Sequence, residues 1–187
     1  MLPLGGLADP EHAVGRRVRQ AATLAALDGC DVLVVHVDVD AAEPGDDPAV
    51  AWRSVASLVQ DGFTSAVVQA DITVEEIVAC VPCRTIEAWL LADNDAVRAA
   101  AADGAVTPER SVTDPEGLWG DNRPGTEHPK HVLRRALRPS RPRAATRDYA
   151  RLASTADLEV VAARCPASFP PFRDSLRAAA AAARGRV

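Results

Sequence analysis

At 187 residues, 48% of them apolar and 25% charged, the chain has the size and composition of one globular domain able to bury a core. A formal net charge of -5 excludes a uniformly basic nucleic-acid coat but leaves room for a local basic patch. No apolar run reaches the length of a membrane span, and Met1–Gly6 has no charged region ahead of an apolar stretch. The expectation is a cytoplasmic protein without a signal peptide, with Cys30, Cys80, Cys83 and Cys165 reduced.

Asp9-Pro10-Glu11 reads as a helix start, with an N-cap Asp, Pro at the first helical position and an acid in the first turn. Val14, Val18, Ala21, Ala22 and Ala25 carry that helix to Leu27, and Gly29 is its natural stop. Asp31 to Val37 is a nearly continuous β-branched run, as expected of a strand covered on both faces in a parallel sheet. After a loop rich in Asp, Gly and Pro from Ala41, apolar residues recur every three or four positions from Trp52 to Ala70. They predict one helix from about Pro48 to Ala70 that tolerates Gly62; a break at Gly62 followed by a short strand is the alternative. Glu76 to Val81 is a second buried strand, ended by Pro82, so strand, helix and strand form a βαβ unit. Arg84 to Ala92 is another helix. Ala102 to His128 is a long loop, Pro129 opens a helix to about Leu137, and helices over Thr146–Ser154, Asp157–Ala163 and Pro171–Ala183 finish the chain. The expected architecture is an α/β core over residues 1–93, followed by a mostly helical region, 94–187, packed on the same domain.

Three features could carry chemistry. Asp38 and Asp40 alternate at the carboxyl end of the first strand, so their side chains share a side, where α/β sheets bind ligands. Two carboxylates there need a compensating cation or donors, and hard oxygen ligands suit Mg²⁺ (or Mn²⁺). They read either as that metal site or as solvated turn acids. Glu87, at a helix start after the second strand, leaves the same sheet edge and is either a general base or a favourable first-turn acid. Arg84, three residues earlier, is placed to pair with Glu87 or with a phosphate. Lys130, Arg134, Arg135, Arg138, Arg141, Arg143, Arg147 and Arg151 form a basic stretch, either a phosphodiester-binding surface or a solvated face. Cys80-x-x-Cys83 lies in an apolar strand and reads as buried, metal-free thiols, and His36 as a core residue.

Three segments together resemble a known family: Val34-Val35-His36-Val37-Asp38-Val39-Asp40; Val81-Pro82-Cys83-Arg84-Thr85-Ile86-Glu87-Ala88-Trp89-Leu90-Leu91-Ala92-Asp93; and His128-Pro129-Lys130 with the helix that follows. They look like the bacterial domain of unknown function 4276, a Toprim-like group. The C-terminal Cys165-Pro166 and Pro171-Phe172 fit it as well. The resemblance implies a Toprim-like (Rossmann-like) core and a divalent metal held by Asp38 and Asp40. Glu87 and Lys130 match its recurring positions and are carried as catalytic candidates, with Arg84, Arg134 and Arg135 as phosphate or nucleic-acid contacts. Implied partners are nucleic acid and either a partner ATPase or further copies of the chain; the implied activity is Mg²⁺-dependent phosphodiester cleavage, in phage defence. The alternative is a non-catalytic nucleotide- or partner-binding module. Toprim-like proteins begin with a strand followed by a catalytic glutamate, and neither precedes the first helix here. Either both are encoded upstream, which is the expectation, or this copy lacks that group; the strand Val32–Val37 is expected to lie at a sheet edge or to pair with another molecule.

Overall fold

The computed structural model describes residues 13–39, 48–70, 76–101, 111–118, 123, 125–137 and 146–185. Expectations placed on residues 1–12, Asp40, Arg138, Arg141 and Arg143 lie outside that set. In chain order the elements are α1 (Ala13–Leu27), β1 (Val32–His36), α2 (Pro48–Ala70), β2 (Glu76–Cys80), α3 (Ile86–Leu90), α4 (Asn94–Ala100), α5 (Pro129–Leu137), α6 (Thr146–Thr155), α7 (Leu158–Arg164) and α8 (Phe169–Arg184). The molecule is mixed α/β and mostly helical.

Helix α1 stops where its sequence says it should. Gly29 has φ +68°, and the amides of Gly29 and Cys30 turn back to the carbonyls of Ala26 and Ala25. This paired 5→2 and 6→1 pattern satisfies two of the orphan carbonyls at the helix end, and the left-handed residue in it favours glycine. Helix α2 runs without a break through Gly62. Val18, Ala22 and Ala25 of α1 meet Val59 and Phe63 of α2, and this layer covers one sheet face through Leu33, Val35, Ile77 and Ala79.

The strands β1 and β2 pair in parallel, from Val32 with Glu76 to His36 with Cys80. Among the described residues they make a two-stranded sheet in which β1 pairs with β2 alone. The second face corrects the expectation of a strand covered on both sides. Val78 and Cys80 of β2 are buried, whereas their register partners on β1, Val34 and His36, are exposed, Val34 to 45%. Helix α8 reaches this face and covers mainly the β2 side. His36 is therefore no core residue.

Two further apolar clusters form among the described residues. Leu91, Val97, Val132, Leu133, Leu137 and Leu152 bring together the α3–α4 turn and helices α4, α5 and α6. Cys80, Trp89, Ala92, Val161, Cys165 and Phe169 join β2 and α3 to α7 and α8, so residues on both sides of position 93 share one core. The segment Glu87–Asp93 thus feeds both clusters.

The predicted helix over Arg84–Ala92 is shorter than its pattern suggests. Arg84 sits at φ 67°, outside the right-handed helical region, so α3 begins only at Ile86. It ends at Leu90, and Asp93 starts a new helix, α4, by accepting the amides of Asp95 and Ala96 at 2.9 and 3.0 Å.

Candidate functional site

The ladder between the strands ends with Val37, whose amide donates to Cys80 O at 3.0 Å. Asp38 is the next residue and so leaves the sheet at its carboxyl edge. Its Oδ1 lies 2.9 Å from His36 Nε2, with the His36 and Asp38 side chains 44% and 31% exposed. Val39 then turns inward and is buried, which anchors the strand end. Asp38 also bears on Cys80: burial first, and the Asp38 carboxylate second, push that thiol up to about 11. Asp38, His36 and Cys80 therefore share the carboxyl edge of one sheet face.

From β2 the chain passes through Val81, Pro82, Cys83 and Thr85, all buried, before α3 begins. Cys83 is pushed up to about 12, by burial first and then by the Glu116 carboxylate. Cys165 is raised further by burial, again with Glu116 as the next cause. None of the four cysteines is in a disulfide, and Cys30 alone of them is exposed. Thiols kept protonated by burial are poor nucleophiles.

Glu87 lies in the first turn of α3 with 9% exposure. Tyr149 of α6 is raised by burial and, next, by the Glu87 carboxylate; the Arg134 guanidinium opposes the shift and Asp148 adds to it. Glu87, Arg134, Asp148 and Tyr149 thus share one electrostatic neighbourhood between α3, α5 and α6, and Asp148 is buried in it. Helix α5 is opened by His128, whose Nδ1 accepts the amide of Lys130 at 3.3 Å and whose carbonyl accepts those of His131 and Val132. Lys130 is half-buried in that first turn. Arg135 is engaged locally, donating to Thr126 O at 2.9 Å and to Glu127 Oε1 at 3.1 Å.

Glu116, which the sequence pattern did not single out, is a buried carboxylate that accepts the amides of Ala167 and Ser168, each at 3.0 Å, and the Ser168 hydroxyl. It caps the start of α8 from 52 positions away. An acid in a loop carries no periodic signal, so only the fold reveals it. The residue beside it in function, Ser168, also takes the Trp89 indole N–H.

The chain matches the family described as Domain of unknown function (DUF4276) over residues 12–177. It belongs to that family. No curated protein and no solved structure matches it. The most distinctive stretch of this DUF4276 chain, Glu87–Asp93, is chiefly a packing hub: Trp89 stacks on Phe172 at 5.3 Å and meets Phe169 edge-on at 5.2 Å, Leu91 fills the helical core, and Asp93 caps α4. Glu87 faces instead the neighbourhood of Arg134, Asp148 and Tyr149.

For a divalent cation, the donor chemistry at the sheet edge fits: Asp38 offers carboxylate oxygen, and His36 a nitrogen beside it. Among the described residues no group of three or more His, Cys, Asp or Glu side chains is placed to hold a metal ion, and Asp40 lies outside them. No helix among the described residues is long and apolar enough to cross a membrane.

Proposed function

We propose that this DUF4276 protein has a Toprim-like core and processes phosphodiesters with Mg²⁺ (or Mn²⁺) held by Asp38 and Asp40. The observation that supports the reading best is the position of Asp38. It is the first residue beyond a parallel ladder, at the carboxyl edge where α/β sheets gather ligands. The neighbouring strand leaves that same edge through Arg84 toward Glu87. When bound, the cation supplies Lewis-acid stabilisation of charge on a phosphate. Arg84 and Arg134 hold the phosphate oxygens by charge-assisted hydrogen bonds, and Lys130 adds a point charge. Glu87, held in the first turn of α3, is the group that moves a proton. Nucleic acid is the proposed substrate class, and defence against foreign nucleic acid the proposed setting.

A second reading, a non-catalytic module that binds a nucleotide or a partner protein, draws on the uncovered Val34 side chain on β1. The two readings separate in one experiment. Labelled single- and double-stranded DNA and RNA are incubated with the chain and Mg²⁺ or Mn²⁺, beside the Asp38→Ala, Asp40→Ala double variant. Cleavage that needs the cation and disappears in the variant supports the enzyme. Nucleotide binding without cleavage in the wild type supports the module.

A further inference from the structure

We infer that His36 is a nitrogen ligand of the cation at Asp38, and that the ion this edge prefers is Mn²⁺ or a similar transition metal over Mg²⁺. The inference deepens the proposed reading of Asp38 as a cation ligand and rests on it. A β-branched strand offers no local reason to expose an imidazole, yet His36 stands in solvent on the part of the sheet face that α8 leaves open, next to the exposed Val34. Positions 36 and 38 alternate along extended chain, so their side chains fall on one side. His36 Nε2 and Asp38 Oδ1 are 2.9 Å apart. An ion bonded at about 2.1 Å to neighbouring nitrogen and oxygen donors at a right angle holds those donors roughly 3.0 Å apart. The pair therefore already has the spacing of a chelate. The two donors thus stand close together before an ion arrives, which lowers the ordering cost of binding.

Donor chemistry then decides between ions. Mg²⁺ seeks oxygens in near-ideal octahedral geometry and is a poor match for imidazole, whereas first-row transition metals accept a mixed nitrogen and oxygen set. Cys80, the register partner of His36, is buried among Trp89, Val161 and Phe169, so a thiol does not compete for the ion. His36 makes its contribution from the exposed side, where substitution leaves the core intact.

The test uses the full chain. Mn²⁺ and Mg²⁺ are titrated calorimetrically into the wild type, His36→Gln and Asp38→Asn, and the Mn²⁺-loaded proteins are read by pulsed electron paramagnetic resonance. The expected result is a ¹⁴N modulation from a coordinated imidazole in the wild type that is absent in His36→Gln. That variant should bind Mn²⁺ about 10-fold more weakly or worse, with Mg²⁺ affinity little changed. Mn²⁺ bound without nitrogen coupling, or a coupling that persists in His36→Gln, overturns the inference. If Asp38→Asn still abolishes binding in those cases, the reading of Asp38 as a ligand survives alone. Failure of the wild type to bind Mn²⁺ overturns both.

Discussion

Trp89 donates its indole N–H to Ser168 Oγ at 2.7 Å, and Ser168 passes its own hydroxyl proton toward Glu116, so a buried chain of three polar groups ties α3 to the start of α8. All three sit where water cannot replace a lost partner. We predict that Glu116→Ala, which strands two backbone amides and a hydroxyl, costs about 2–4 kcal/mol in denaturant unfolding, and that Ser168→Ala costs about 1–3 kcal/mol. A loss below about 0.5 kcal/mol in either variant would mean the chain of hydrogen bonds contributes little.

Asp93 joins helices that are far apart in sequence. One carboxylate oxygen caps α4, and the other accepts the Asp157 amide at 2.9 Å, beside the start of α7. Asp93→Ala is expected to lose about 2 kcal/mol or more, since it removes both a helix cap and a cross-chain tie. Asp93→Asn retains one acceptor oxygen and should fall between the two. Equal stability of wild type and Asp93→Ala, measured by urea titration, would contradict this account.

The buried thiols set an alkaline limit. Cys80 and Cys83 stand at about 11 and about 12 in the folded protein, against an ordinary value of 9.0. Raised values favour the protonated thiol in the native state, so their contribution to stability is fully present below pH 9 and is lost as pH rises through 9 toward 11 and 12. Melting temperature should therefore fall across that window, and less steeply in Cys80→Ala than in the wild type after correction to each protein's neutral-pH value. Alkylation at pH 8 should label Cys30 and spare the other three until unfolding. Rapid native labelling of Cys83 is the contrary result.

Arg84 holds a left-handed backbone conformation, with φ 67°, in the connection that leads to Glu87. That conformation costs roughly 1–2 kcal/mol for a residue with a Cβ and little for glycine. Strain of this kind gathers at functional positions. We predict that Arg84→Gly leaves the protein at least as stable while weakening its retention on a phosphate-bearing polyanion such as heparin or single-stranded DNA. A destabilised variant with undiminished retention would show that Arg84 serves the fold alone.

How much of this was legible in the sequence follows from how local each cause is. Helix α2 was readable because its three-and-four spacing outweighs one internal glycine, and the end of α1 because Gly29 is a sufficient local signal. The parallel pair was readable from two β-branched runs. Whether such a run is covered on one face or two depends on what packs above it, so the exposure of Val34 and His36 was hidden. The short span of α3, Ile86–Leu90, and the separate helix α4, Asn94–Ala100, were hidden as well, because nothing in the Arg84 side chain announces its left-handed backbone and Asp93 looks like any acid near a helix end. Helix α8 begins at Phe169, ahead of the two prolines that suggested Pro171, because Pro170 and Pro171 occupy its first turn and the Ser168 amide is satisfied by distant Glu116. Asp38 was legible as a strand-end acid; its contact with His36 was not, since a lone histidine in an apolar run reads as core.

The central claim, that the carboxyl edge of β1 binds a divalent cation through Asp38, is tested most directly by calorimetric titration of Mg²⁺ and Mn²⁺ into the wild type and Asp38→Asn. Asn keeps the size of the side chain and removes its charge, and Asp38 lies on the partly exposed rim, so the fold is expected to survive. The account predicts one cation bound per chain in the wild type and at least a roughly 10-fold loss of affinity in the variant. Equal affinity in the two proteins, or no binding by either, would contradict it.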